Sequence, residues 1–186
     1  MSGGRNNGSA NTPKTASSKR AIITTRSASA SYKAVIQADG TEQHTLFHYG
    51  QQGELLGETR LAANGESGHS QNIVWLQMRP VVALDNSTNS TNSKATDTRI
   101  SWLHSDHLLT ARAATDINQN LIWRWHNDAF GVGEAENFVD ESAQELTLNL
   151  RFPGQYYDQE SGQHYNYFRT YDLKSASFNQ IYPASD

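Results

Sequence analysis

From about Ser31 onward, apolar and polar positions alternate in short runs separated by turn residues, the period-2 signature of half-buried strands. Residues 45–49 (TLFHY) and 54–60 read as a hairpin closed by Gln51-Gln52-Gly53, with Asn64-Gly65 as the next turn. Residues 72–78 (NIVWLQM) are rich in β-formers, and Pro80 restricts that strand to an edge or a bend. Beyond a turn at Asn118-Gln119-Asn120, Leu121, Trp123 and Trp125 fall on one strand face, with Ile122, Arg124 and His126 on the other. Leu146, Leu148, Leu150 and Phe152 alternate with Thr147, Asn149 and Arg151, which predicts the cleanest half-buried strand of the chain. Tyr156-Tyr157 and residues 164–171 flank a turn at 158–162 and predict another hairpin. No segment sustains a helical apolar period. The pattern predicts an all-β chain of consecutive antiparallel hairpins.

Composition qualifies that picture at two places. Leu, Ile, Val and Phe make up only roughly 18% of the 186 residues, close to the level of disordered chains. The 4 Trp, 8 Tyr and 6 Phe and a net charge of only −4 argue for a folded body, with a core built from Tyr and Trp more than Leu. Residues 1–44 are expected to be disordered or weakly ordered, and 45–186 to form the β region. Within it, residues 85–98 (DNSTNSTNSKATDT) are expected to be a polar loop. The two glycosylation sequons in that loop, at Asn86 and Asn89, have no secretory signal to support them. Segments 1–30 and 86–98 are the ones expected to be mobile.

Charge and residue types narrow the chemistry. Residues 1–30 hold five basic residues and no acid, leaving a net of −9 in 31–186, which disfavours a phosphate-gripping surface and nucleic acid as a partner. There is no cysteine, so no disulfide or thiolate chemistry arises. The longest apolar run is Val81-Val82-Ala83-Leu84, too short to span a membrane as a helix. Met1 is followed by Gly, Ser and Asn, so the expectation is a cytoplasmic chain before any specialised export.

Three phrases then stand out in order. Residues 47–58 (FHYGQQGELLGE) have the form of a degenerate YD repeat, Tyr-Asp, two residues, Gly, one residue, Leu, with Gly50 in place of Asp. Residues 103–112 (LHSDHLLTAR), with Ala114-Thr115-Asp116 after them, are similar to an H-x-D-H-L-G-T-P signature and the T-D that follows it. Residues 151–172 (RFPGQYYDQESGQHYNYFRTYD) match R-F-P-G-Q-Y-x-D-x-E-T-G-L-H-Y-N-x-x-R-x-Y-D almost throughout. Together these resemble the C-terminal part of the Rhs repeat-associated core of the Rhs/YD-repeat family, over residues 45–172. The resemblance implies an incomplete piece of a YD-repeat β-shell, which in full-length relatives encloses a variable toxin used in interbacterial competition. A repeat unit of this kind cannot bury its apolar face alone and needs stacked neighbours. The expected partners are therefore a repeat-bearing Rhs protein or a second copy, joined at open edges along 146–152 and 164–171.

Several constellations invite a catalytic or metal reading. The family's core ends in an aspartyl autoprotease motif. Laid on it, Asp172 and Phe178 match, Leu173, Ala176 and Ser177 depart, and Tyr182-Pro183 stands where Asp-Pro is expected. Aspartic proteolysis needs two carboxylates sharing a proton, so the expectation is no self-cleavage, with Asp172 the catalytic residue only under the rival autoprotease reading. The chain stops at Asp186, and the expectation is a piece without a toxin. His104, Asp106 and His107 could be metal ligands, but turn hydrogen bonding is the expected role, with no metal and no cofactor. Asp158, Glu160 and His164 surround a turn and are expected to cap backbone groups rather than form a hydrolase site. The remaining rival is a carbohydrate- or protein-binding β module using rows of Tyr and Trp. The leading expectation is a structural shell segment, not an enzyme.

Overall fold

A computed structural model describes residues 30–37, 39–62, 65, 67–88, 96–138, 145–166 and 169–180. Among them the chain is all-β, without helices. Nine strands follow one another in sequence order as an antiparallel meander: β1 (Ala30–Ile36), β2 (Glu42–Tyr49), β3 (Leu55–Leu61), β4 (Ser67–Leu76), β5 (Arg79–Thr88), β6 (Thr96–Ser105), β7 (Ala111–Thr115), β8 (Leu121–Trp125) and β9 (Ala135–Asn137). A second sheet holds β10 (Tyr156–Asp158), β11 (Gln163–Asn166), β12 (Arg169–Asp172) and β13 (Ser177–Gln180), again in order. The expected consecutive hairpins are present.

One turn design recurs. At Gln37, Gly50, Asp106, Asp116 and Asp128, the first residue donates its N–H to the carbonyl four residues on. It also accepts at its own carbonyl the N–H of the residue three on. The fourth residue has positive φ: Gly40, Gly53, Leu109, Gln119 and Gly131. This is a three-residue loop, a type I turn followed by a left-handed residue. Where the first residue is Asp, its Oδ1 also accepts two N–H groups within the loop. Asp106 takes those of Leu108 and Thr110, Asp116 those of Asn118 and Asn120, and Asp128 those of Phe130 and Val132. At Gly50 the carboxylate comes from the other end of the loop. Glu54 accepts the N–H of Gln52, and a Cβ built on Gly50 would fall onto the Glu54 carboxylate.

One face of the large sheet is covered by the chain itself. Residues 145–155 run across it, carrying Leu146, Leu148 and Leu150 into a cluster with Phe47, Leu55, Ile73, Ala83, Leu103, Ala114, Trp123 and Trp125. Ala83, Ser101 and Ala114 in the central strands are fully buried. Their small side chains leave room for the leucines above them. Trp123 and Trp125, each 1% exposed, are the largest fully buried side chains of this core. Burying an indole contributes roughly 4 to 6 kcal/mol before entropy is counted, from its area at ~25 cal/mol per Å². Among the described residues five leucines (Leu55, Leu103, Leu146, Leu148 and Leu150) are buried, against Trp123, Trp125 and Tyr171. The expected Tyr/Trp-dominated core is thus corrected: a tyrosine hydroxyl needs a partner, and these rings sit at the core's boundary.

Other expectations are also corrected. Residues 146–152 are buried, with Thr147 and Phe152 half-buried, but form no ladder strand; their one bridge is Leu150 to Tyr156. Asn149 and Arg151 are buried as well, so the alternation reported burial on one side and missed that the other side is covered too. Residues 164–171 form two strands, β11 and β12, with His164 opposite Tyr171, and both lie inside the small sheet. Neither segment is an open edge; in the large sheet the edges are β1 and β9. Among the described residues, sheet structure begins at Ala30, inside the stretch 1–44 expected to be disordered or weakly ordered, because β1 pairs with β2 along its whole length. Residues 1–29 lie outside the described residues. Residues 85–88 and 96–98, expected to be loop, are strand. Ladder bonds from Asp85↔Arg99 to Thr88↔Thr96 satisfy their backbone without any apolar side chain. Residues 89–95 lie outside the described residues.

Residues 72–78 are mostly β4, an interior strand rather than an edge. Pro80 sits opposite Trp75 beside a register shift, where a missing N–H costs little. In β8, Ala114 pairs with Trp123 and Thr115 with Leu121, so Ile122 is the extra residue of a bulge. That bulge turns Ile122 into the core and leaves Leu121 exposed, the reverse of the strict alternation expected.

Candidate functional site

The covered face carries a polar row directly beside its apolar zone. The registers Phe47↔Glu58, Glu58↔Gln71, Gln71↔Asp85 and Asp85↔Arg99 align Glu58, Gln71, Asp85 and Arg99 across β3 to β6. Glu58, Gln71 and Asp85 are each buried. They are joined to one another and to the crossing segment. Gln71 Nε2 donates to Asp85 Oδ1 at 3.0 Å and to the Thr147 carbonyl at 2.9 Å. Arg99 Nη2 lies 3.6 Å from Asp85 Oδ2 and donates to the Glu145 carbonyl at 3.0 Å. His69 Nε2 lies 3.4 Å from Asp85 Oδ1. A segment without ladder partners has its carbonyls satisfied by this row, as a buried backbone requires.

The row ends in a hydrogen-bonded junction. Tyr156 donates its hydroxyl proton to Glu58 Oε2 at 2.6 Å and accepts from Asn149 Nδ2 at 3.0 Å. Lys33 on β1 reaches across to Asp158 at 2.6 Å and to Glu160. Burial raises the pKa of Glu58, against the hydrogen bond from Tyr156 and the charges of Arg60 and Lys33. Burial and the neighbouring Glu58 push the Tyr156 phenol well above its ordinary value. Burial also opposes ionisation of Asp158. Its hydrogen bonds with Glu160, Lys33 and Ser161 outweigh that and lower its pKa.

Glu58 sets a testable sign. A carboxyl whose pKa is raised on folding holds its proton more tightly in the folded chain, so stability falls as pH rises through the folded pKa. Replacing Glu58→Gln keeps an acceptor for Tyr156 and removes the buried charge. We expect this variant to melt a few degrees above wild type at pH 7 and to match it below pH 4. A lower melting temperature at pH 7 would mean that the ionised carboxylate makes a net favourable contact.

The residues singled out from the sequence separate into different places. Asp106 is a turn residue as expected: besides its two loop N–H groups it pairs with Arg112 Nε at 2.7 Å. His104 is exposed and lies 3.0 Å from the Thr115 hydroxyl, so it takes no part in that turn; His107 is exposed too. Asp158 and Glu160 meet at Lys33, whereas His164 lies on the opposite face of the β10–β11 hairpin. There its Nδ1 is 2.9 Å from Gln155 Oε1, among the rings of Trp125, Tyr157 and Tyr171. The pleat thus keeps the imagined hydrolase trio apart. Asp172 accepts from the Lys174 N–H at 2.9 Å and the Ser175 hydroxyl at 3.1 Å, in the β12–β13 turn. Tyr182, Pro183 and Asp186 lie outside the described residues.

Sequence reasoning missed Lys33, Glu58, Gln71 and Asp85. Their signal was a polar residue at an inward strand position, and the covering that makes such a position inward was not visible locally. Arg151, on the polar side of the alternation at 146–152, is buried as well. It stacks over Trp125 at 4.9 Å and Tyr157 at 4.7 Å and donates to the carbonyls of Leu148 and Leu150. Burial lowers its pKa to about 10.

Comparison with known proteins points in one direction. No family profile matches the chain. It is 36% identical over 75 residues to the Toxin protein Tse5 of Pseudomonas aeruginosa, covering 40% of this chain and 5% of that protein. It is 38% identical over 74 residues to the Double-stranded DNA deaminase toxin A of Burkholderia cenocepacia, again 40% of this chain and 5% of the other. The matching stretch spans only about 5% of the length of each of these proteins. Over that part it is related to bacterial toxin proteins.

Proposed function

We propose that this chain is a β-structured shell segment of an Rhs/YD-repeat polymorphic-toxin-type protein, serving in interbacterial competition, and that it catalyses nothing itself. The observation that carries this reading is how the family-like phrase at 151–172 is used. Arg151, Gln155, Tyr156, Asp158, His164 and Asp172 each bond to the protein's own groups, closing the covered face or capping a turn. Side chains engaged in this way build a wall rather than a catalytic centre. The similarity to two toxin proteins supports the same reading. The edge strand β1, with one ladder neighbour among the described residues, is the place for a preceding repeat of a larger Rhs protein or a second copy to add on.

The rival reading assigns self-cleavage to Asp172. Purified protein is expected to keep its full mass through days of incubation between pH 4 and 8, because Asp172 serves its turn and aspartic chemistry needs a second carboxylate. A truncated product formed by the wild type but not by Asp172→Asn would establish the autoprotease instead.

A further inference from the structure

A cleft of about 300 Å³ lies between the first three strands and the β10–β11 turn. The paired rows Lys33–Thr45–Arg60 and Val35–Gln43, with Glu58, line it from the large sheet. Asn149, Tyr156, Gln159 and Glu160 line it from the crossing segment and the turn. We propose that this cleft binds an uncharged saccharide unit.

The lining chemistry selects that class. Val35 is the one aliphatic side chain among the lining residues, so an apolar ligand would strand buried amides and charges without partners. Two cations, Lys33 and Arg60, face two acids, Glu58 and Glu160, so the formal charges cancel. A phosphate would meet both carboxylates, and a metal ion would meet both cations. What remains complementary is a ligand rich in groups that both donate and accept. Sugar hydroxyls do this: the amides of Gln37 and Gln159 with the Thr45 hydroxyl offer donors and acceptors, and Gln43, whose N–H groups are used within the protein, adds an acceptor oxygen. The volume lies at the small end of ligand pockets, a size suited to one or two sugar rings.

Several of these groups are already held in place. Gln43 is anchored through Nε2 by the carbonyls of His44 and Leu61. Asn149 is fixed on Tyr156, and Tyr156 on buried Glu58. Lys33 is held by Asp158 and Glu160. A ligand would therefore meet a polar wall whose ordering is complete before it arrives, which lowers the entropy cost of binding. Sugar binding here is independent of the shell role.

The test is a nitrogen-15 NMR titration of the full chain with D-glucose, N-acetyl-D-glucosamine, chitotriose and, separately, inorganic phosphate. Saturable shifts of the side-chain amides of Gln43, Asn149 and Gln159 with at least one sugar are expected, with phosphate weaker. Tighter binding of chitotriose than of the monosaccharide would identify a glycan chain as the source, and equal binding a single terminal or free unit. Gln159 is exposed on the turn, so Gln159→Ala should keep its melting temperature while weakening binding by about tenfold. The proposal is overturned by the absence of saturable shifts with every sugar. Tighter binding of phosphate, or shifts that Gln159→Ala leaves unchanged, would overturn it equally.

Discussion

Replacing Leu148 by lysine is expected to leave the chain unfolded at 25 °C. Leu148 is 2% exposed, in the middle of the segment that crosses the large sheet. An ammonium there would be buried among apolar side chains, and an unpaired buried charge costs several kcal/mol even after relaxation. Lost leucine packing adds to it, so the total approaches the whole stability of an ordinary domain, ~5–15 kcal/mol. Leu148→Ala gives the graded version, a loss of about 3 kcal/mol read from urea unfolding. Leu121→Lys is the control, since Leu121 is 38% exposed and should tolerate the charge with a change under about 0.5 kcal/mol. A Leu148→Lys protein that unfolds cooperatively at the wild-type midpoint would show that the crossing segment is not part of the core.

Acid should weaken the fold through His164. Its imidazole is 1% exposed, and burial, followed by the nearby Arg151 cation, lowers its pKa from 6.5 to about 4. The group is depressed on folding, so its stabilising contribution is fully present above pH 6.5. Between 6.5 and 4 the unfolded chain takes up the proton and the folded chain refuses it, so stability falls with pH. The loss amounts to about 3 kcal/mol by pH 4, since each pKa unit is worth about 1.4 kcal/mol. Glu58 runs the other way, gaining stability as its proton returns, so the slope must be assigned by variant. His164→Gln should flatten the decline between pH 7 and 4 in denaturant midpoints. An unchanged slope in that variant would place the acid sensitivity elsewhere.

How far the fold was legible follows from which forces are local. Turn residues at 51–53, 65, 118–120 and 158–162 act within a few residues, and the hairpins they announce are present. Alternation at 146–150 marked burial correctly, yet burial does not imply a ladder. The Ile122 bulge left no local mark, because it arises from the register of β7 against β8. The polar strand ends at 85–88 and 96–98 looked like loop, since backbone pairing alone sustains them. For the candidate site, the family-like phrase marked Arg151, Tyr156 and Asp158. Their partners Lys33 and Glu58 lie roughly a hundred or more residues away along the chain, and only the folded sheet brings them together.

The turn at Gly50 has a consequence for how its sequence can change over time. Its loop has room for one carboxylate, supplied by Glu54 rather than by the first residue. Gly50 does not have positive φ, so an aspartate fits the backbone there. Its side chain would still have to evict the Glu54 carboxylate, which sits on a flexible stem and can leave. The substitution Gly50→Asp therefore brings in a second acid where one suffices, and the two like charges oppose each other until Glu54 is itself replaced. Losing Glu54 first would leave the loop with neither. Either order of exchange therefore crosses a costly intermediate: two like charges if the aspartate arrives first, a loop without its acid if the glutamate departs first.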